Sequence, residues 1–244
     1  MPTIKLTIEY DGTRYAGWQR QPDQPTIQGA LESAIMQISQ TPTSVIGAGR
    51  TDAGVHALGQ IASFRTDRQL LEREWLRGLN GLLPDDIAVR AVQQVRDDFH
   101  ARYSARGKLY EYRLLNRLER PALDRDRAWH IHQQLDLVTM RDAACTLLGR
   151  HDFSSFQGSP TDNENPVCDL QRLDISREQD LIRLQVYADR FLKQMVRAIV
   201  GTLVEVGQRT RSSGSVQDIL HARDRSAAGK TVPAHGLYLV RVDY

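Results

Sequence analysis

The sequence predicts an α+β protein made of two halves. Stretches of alternating apolar and polar residues recur along the chain, and each half interleaves them with two stretches of helical apolar spacing. The division falls near residue 105, where no Gly/Ser-rich linker separates the halves.

The elements follow in order. Ile4, Leu6 and Ile8 alternate with Thr3, Lys5, Thr7 and Glu9, as in a half-buried strand. Tyr10-Asp11-Gly12 breaks the alternation, and a polar loop with interspersed aromatics runs to Pro25. Thr26 can cap a helix whose apolar positions are Ile27, Leu31, Ala34, Ile35 and Ile38. A strand around Val45 and Ile46 leads into GAGRTDAG, followed by a strand at 60–64, a helix at 72–82 and a strand at 87–95. In the second half, residues 109–115 read as a strand with Tyr110, Tyr112 and Leu114 on one face. A helix is expected at 135–148, and paired strands at 170–175 and 181–187. Leu192, Met195, Ile199, Leu203 and Val206 form the apolar stripe of a helix over 191–206, with Gly207 as its stop. A loop at 208–215, a short helix at 216–222 and a closing strand at 237–242 complete the chain.

Composition narrows the function classes. Among 244 residues, 41% apolar and 25% charged are ordinary proportions for a folded soluble protein. No apolar run approaches the roughly 20 residues that cross a bilayer, and the opening MPTIKLTIEY has neither the apolar core nor the cleavage site of a signal peptide. A cytoplasmic protein without membrane association is expected. Cys145 and Cys168 have no metal-ligand spacing and no CxxC pairing, which argues against a disulfide framework or structural zinc. Cys145, in an apolar helical stretch, is expected to be a buried small hydrophobe. His130 and His132 alternate along a predicted strand, but no third ligand accompanies them, and no metal site is expected. Net charge is only +2, yet arginine greatly outnumbers lysine. Arginine's planar fork suits phosphates and bases; a GC-rich genome would produce the same bias.

Four segments stand out. In Gly47-Ala48-Gly49-Arg50-Thr51-Asp52-Ala53-Gly54-Val55-His56, three glycines follow an apolar strand and allow close approach of backbone or ligand. An aspartate fixed there beside Arg50 would stay ionised and suit a nucleophile or base acting on a sugar carbon; Asp52 could equally cap a tight turn. The second segment, from Tyr10 to Pro22, interleaves Arg14, Trp18 and Arg20 with further aromatics. Such residues stack on unpaired bases and hold phosphates, although Trp18 could instead fold back as a core anchor. Third, Phe99, His100, Ala101, Arg102 and Tyr103 precede a strand bearing Tyr110 and Tyr112, which could hold a flipped pyrimidine or simply pack. Fourth, Arg197 sits in the apolar 191–206 helix, where it either snorkels to water or pairs with a buried anion.

In order and over nearly the whole chain, these segments resemble the tRNA pseudouridine synthase A (TruA) family. The matching stretches are YDGTRYAGWQRQP, TIQGALE, GAGRTDAGVHALGQ, GLNGLLPDDIAV, FHARYSARGKLYEYR, HDFSSF, FLKQMVRAIVGTLVEVG and GLYLVRVDY, with GRTDAGVHA the most specific. The resemblance implies a cofactor-free isomerase that turns uridine into pseudouridine at positions 38, 39 and 40 of the tRNA anticodon arm. It implies two ferredoxin-like (RRM-like) halves with antiparallel sheets flanking a central active-site cleft. Residues 1–105 would carry the aspartate loop and residues 106–244 would complete the cleft. It implies a homodimer with tRNA as partner. Carried over by position, Asp52 matches the essential aspartate, Tyr110 the tyrosine stacked on the target base, and Arg197 the basic residue paired with the aspartate. Arg50 matches an arginine implicated in base flipping, and Phe99 to Tyr103 match an RNA-contacting segment in which Arg102 is the expected phosphate ligand. Arg14 and Trp18 lie in a segment that matches one near the bound RNA.

One departure stands in Asn165-Pro166-Val167-Cys168-Asp169-Leu170, where Cys168 takes the place of the family's arginine just before a strand. Asp162 and Glu164 make this stretch acidic, so loss of a contact to the RNA backbone is expected, with the catalytic set untouched. Two rival readings are a non-catalytic RNA-binding protein with RRM-like domains, which has no use for a particular carboxylate, and a glycoside hydrolase or nucleosidase. The latter needs two spaced carboxylates, and GRTDAG offers one.

Overall fold

The computed structural model of the chain describes residues 1–161 and 165–244; Asp162 and Glu164, the acidic residues noted above, lie outside them. In chain order the first elements are β1 (Thr3–Tyr10), α1 (Ile27–Ser39), β2 (Ile46–Gly47), β3 (His56–Arg65), α2 (Glu72–Leu82) and β4 (Ile87–Val95). There follow β5 (Gly107–Asn116), β6 (Trp129–Ile131), α3 (Leu137–Cys145), β7 (Gly149–Asp152), β8 (Val167–Glu178) and β9 (Leu181–Ala188). The chain ends with α4 (Met195–Gly207), α5 (Ser215–Ala222) and β10 (Leu237–Asp243). This is a mixed α/β chain with mostly antiparallel strands, divided into one unit of Met1–Arg106 with Tyr238–Tyr244 and a second of Gly107–Leu237. Among the described residues no helix is long and apolar enough to cross a membrane.

In the first unit β1 is central. It runs antiparallel to β3, with Leu6 opposite Ala62, and antiparallel to β4, with Leu6 opposite Val92. β2 adds to β3 antiparallel, and β10 adds to it parallel, with Tyr238 opposite His56. The alternation read in the sequence places Ile4, Leu6, Ile8 and Tyr10 inside. Thr26 caps α1 as expected, its Oγ1 accepting from the Gly29 amide at 3.3 Å. Trp75 of α2 closes the core edge-on to Phe64, at 5.3 Å between ring centres.

In the second unit β9 lies between β5 and β8, antiparallel to both; β7 pairs with β8 and β6 runs parallel to β5. Two expectations change here. The 191–206 helix begins only at Met195, because Gln194 takes a left-handed conformation (φ 58°) that the helix cannot absorb. It is also buried on almost every side rather than along one stripe. Cys145 is exposed and Cys168 is buried. The inward face of α3 is made by Met140, Ala143 and Ala144, and Cys145 follows at the helix end on another face. Cys168 sits within β8 opposite His151 of β7. Burial, partly offset by Arg190, pushes its thiol up to about 12.

Candidate active site

The Asp52 loop joins β2 to β3 and is held by main-chain bonds from the loop after β1. The Trp18 amide donates to Thr51 O at 3.0 Å and the Gly54 amide to Tyr15 O at 3.3 Å; within the Asp52 loop itself, the Val55 amide donates to Asp52 O at 3.1 Å. Gly17 makes this approach possible. Its φ is +97°, and a Cβ there would lie 2.6 Å from Thr51 O and 3.0 Å from the Asp52 carbonyl carbon. Asp52 itself is half-buried, and Arg50 is exposed. The carboxylate therefore rides on a turn braced by a second strand of chain, an arrangement that suits a fixed base or nucleophile.

Three residues to which the sequence assigns no separate role close on the same region. Tyr10 Oη lies 2.8 Å from Thr51 Oγ1 in the interior. Gln60 Nε2 donates to Gly49 O at 2.8 Å. His56 is 2% exposed at its side chain and brings Nδ1 within 3.1 Å of the Asp11 carboxylate. The Gly12 amide is also 3.1 Å from that nitrogen. Nδ1 cannot accept from Gly12 and donate to Asp11 in one protonation state, so the two contacts are alternatives. The ring of His56 stacks on Tyr238 at 4.7 Å. A signal for Tyr10 existed: it is the inward, hydroxyl-bearing last member of the Ile4-Leu6-Ile8 alternation. His56 and Gln60 fall within the GAGRTDAGVHALGQ stretch, but the strand predicted at 60–64 starts four residues later than β3, so the facing of His56 was not legible.

The residues marked for RNA contact divide into outward and inward groups. Arg14 is exposed and 3.7 Å from Asp86. Tyr103 is 77% exposed, and its ring stacks on His100 at 4.3 Å, with the Arg102 guanidinium 5.7 Å from the ring centre. Together these three form an outward aromatic and cationic platform. Phe99 lies against Tyr244 at 4.9 Å. Ala101 is fully buried, its carbonyl accepting from Tyr244 Oη at 2.7 Å. Trp18 is only 2% exposed and lies over Gly47, where a Cβ would come within 2.5 Å of its ring. Of the two roles open to Trp18, the buried ring fills that of anchor for the aspartate loop.

The second unit carries Tyr110 and Arg197. Tyr110 is buried and meets Phe191 edge-on at 4.9 Å. Arg197 is half-buried on α4, and its Nε donates to Val232 O at 2.8 Å. A separate polar recess in this unit is lined by Arg150, His151, Asp152 and Arg223 among others. Its charges are partly matched internally, since Arg223 lies 3.1 Å from Asp152. His151 and Asp152 belong to the HDFSSF stretch, but none of the residues proposed above for catalysis or RNA contact lines it. Among the described residues, no group of three or more His, Cys, Asp or Glu is placed to hold a metal ion.

Comparison with known proteins adds to this geometry. A family model described as tRNA pseudouridine synthase matches residues 6–104 and 143–244, which include the Asp52 loop, the 99–103 segment and Arg197. A protein of Chromobacterium violaceum named tRNA pseudouridine synthase A is 48% identical over 242 residues, 99% of this chain and 92% of its own. Relatives of the same name from Myxococcus xanthus and Acetivibrio thermocellus are 45% and 43% identical over the whole of this chain, covering 92% and 100% of their own lengths.

Proposed function

The chain belongs to the tRNA pseudouridine synthase family, and from that premise we propose that it isomerises uridine to pseudouridine in tRNA with Asp52 as the catalytic carboxylate. The observation that carries the assignment to Asp52 is its half-buried place in a turn braced by the 15–18 chain, within the span matched by the family model.

The reaction breaks the bond from N1 to C1′ and forms one from C5 to C1′. A proton leaves C5 and N1 gains one, so nothing is oxidised and no external group is consumed. The uridine must first leave its stack, at a cost of a few kcal/mol. Positive character then develops on the ribose. A carboxylate beside C1′ stabilises it by forming an adduct or by taking the C2′ proton, and the two routes share the same residue. The flat ring of Tyr110 is assigned to the detached uracil, Arg197 to balancing the carboxylate's charge, and Arg50 to opening the stem. The platform of His100, Arg102 and Tyr103, with Arg14, is assigned to the RNA backbone. These roles rest on the family resemblance.

Three finer readings accompany the proposal. The targets are positions 38, 39 and 40 of the anticodon arm, and the chain acts as a homodimer. Each unit is read as ferredoxin-like. The β1-α1-β2-β3-α2-β4 succession with strand order β4-β1-β3-β2 supports this in the first. The order β5-β9-β8 with α3 and α4 between strands supports it in the second.

Asp52→Asn should retain tRNA binding and form no pseudouridine. Substantial product from this variant refutes the carboxylate's role. Mapping pseudouridine in tRNA from cells with and without the protein tests the three positions, and light scattering on the purified chain tests the dimer.

A further inference from the structure

The loop that carries Asp52 has a second support beneath its main-chain braces. Tyr10 ends the inward row of β1 and is 3% exposed, and Thr51 immediately precedes Asp52 and is 7% exposed. Their hydroxyl groups are 2.8 Å apart. Gln60, fully buried on β3, reaches the same loop from the other side of Arg50 by donating to Gly49 O at 2.8 Å. Gln60 also stands beside the Tyr10 hydroxyl. Burial pushes that phenol up to about 12, and hydrogen bonding from Thr51 and Gln60 offsets part of the rise. The hydroxyl thus stays neutral near pH 7 and remains available to bridge.

We propose that Tyr10 is a positioning residue for Asp52: its hydroxyl, fixed at the end of β1, anchors the Thr51 side chain and so sets where the Asp52 carboxylate stands. The inference rests on the reading of Asp52 as the catalytic carboxylate. The physical reason is one of freedom. Main-chain bonds at Thr51 O, Asp52 O and Gly54 N hold the backbone of the turn, but none of them reaches the Thr51 side chain. A side-chain tether on Thr51 adds a constraint that those bonds do not supply, one residue before the carboxylate. A shift of about 1 Å in a catalytic group can cost on the order of a hundredfold in rate, so a partly loosened tether should cost less. Neither Tyr10 nor Thr51 needs to touch RNA for this effect.

The test is single-turnover pseudouridine formation on unmodified tRNA, with Kd for the same tRNA and the melting curve measured in parallel. Tyr10→Phe removes one oxygen and leaves the ring. It should lower the rate roughly tenfold while Kd stays within about twofold and melting remains cooperative. Thr51→Val should do the same. The double variant should be no slower than either single one, because both remove the same link, and Thr51→Ser should recover most of the rate. A merely structural bond would shift melting and leave the rate of the folded enzyme unchanged. An unchanged rate in Tyr10→Phe, or losses that multiply in the double variant, overturns the proposal. Activity in Asp52→Asn would instead overturn the reading beneath it, whatever Tyr10→Phe does.

Discussion

Cys168 and Cys145 show how much one residue's surroundings decide. Both are thiols, yet the first lies inside β8 with its pKa pushed up to about 12 by burial and the second, from an apolar stretch, is exposed at the end of α3. Only the thiolate is nucleophilic. A limiting amount of iodoacetamide at neutral pH should therefore label Cys145 and leave Cys168 unmodified in the folded protein, with both labelled in denaturant. Mass spectrometry of peptides reads the outcome; equal labelling in the folded state would contradict the buried position. The same principle separates the aromatics of the site. Tyr103 offers a face to solvent, whereas Trp18 is enclosed, although both belong to segments of similar composition. Composition could mark the segments, but exposure depends on what the fold lays over each ring.

At the scale of elements, α4 and the chain at 228–232 depend on one small residue. A Cβ at Gly201 would lie 2.0 Å from Lys230 O and 3.1 Å from Val232 Cγ1. The neighbouring Thr202 accepts from the Gly229 amide at 2.9 Å, and Arg197 one turn earlier donates to Val232 O at 2.8 Å. Gly201→Ala would push main chain away from the helix, and overpacking of this kind costs about 1–3 kcal/mol. A fall in denaturation midpoint is expected and, on the role proposed for Arg197, weaker pseudouridine formation as its guanidinium loses the aligned Val232 carbonyl. Chemical denaturation followed by circular dichroism checks the first part. Most elements were legible beforehand: α2 and β4 match the predicted 72–82 and 87–95 in full. The start of α4 was not, because Phe191 and Leu192 continue its apolar pattern while the backbone at Gln194 turns left-handed.

For the whole molecule, a net charge of +2 conceals how its cations are arranged. Arg14, Arg50 and Arg102 are exposed, and His100, Arg102 and Tyr103 form one outward platform. Affinity for tRNA should then fall steeply with salt, because each phosphate contact releases condensed counterions with a slope near −0.7 to −0.9. Arg102→Ala should lower that slope by about one and weaken binding to different tRNAs alike. Filter binding between 50 and 200 mM salt, on the order of the range where such effects are large, measures both. A flat response would count against phosphate contacts by these residues.

The sequence by itself determined most of the succession of strands and helices, β7 excepted, and singled out Asp52, because periodicity and a contiguous glycine-rich motif are local properties. Only tertiary structure decided that Trp18 points inward and that Tyr10 meets Thr51 across 41 positions. It alone revealed which thiol is sheltered. Such pairings follow from strand register and from how closely one stretch of main chain can approach another, and neither is written in the spacing of neighbouring residues.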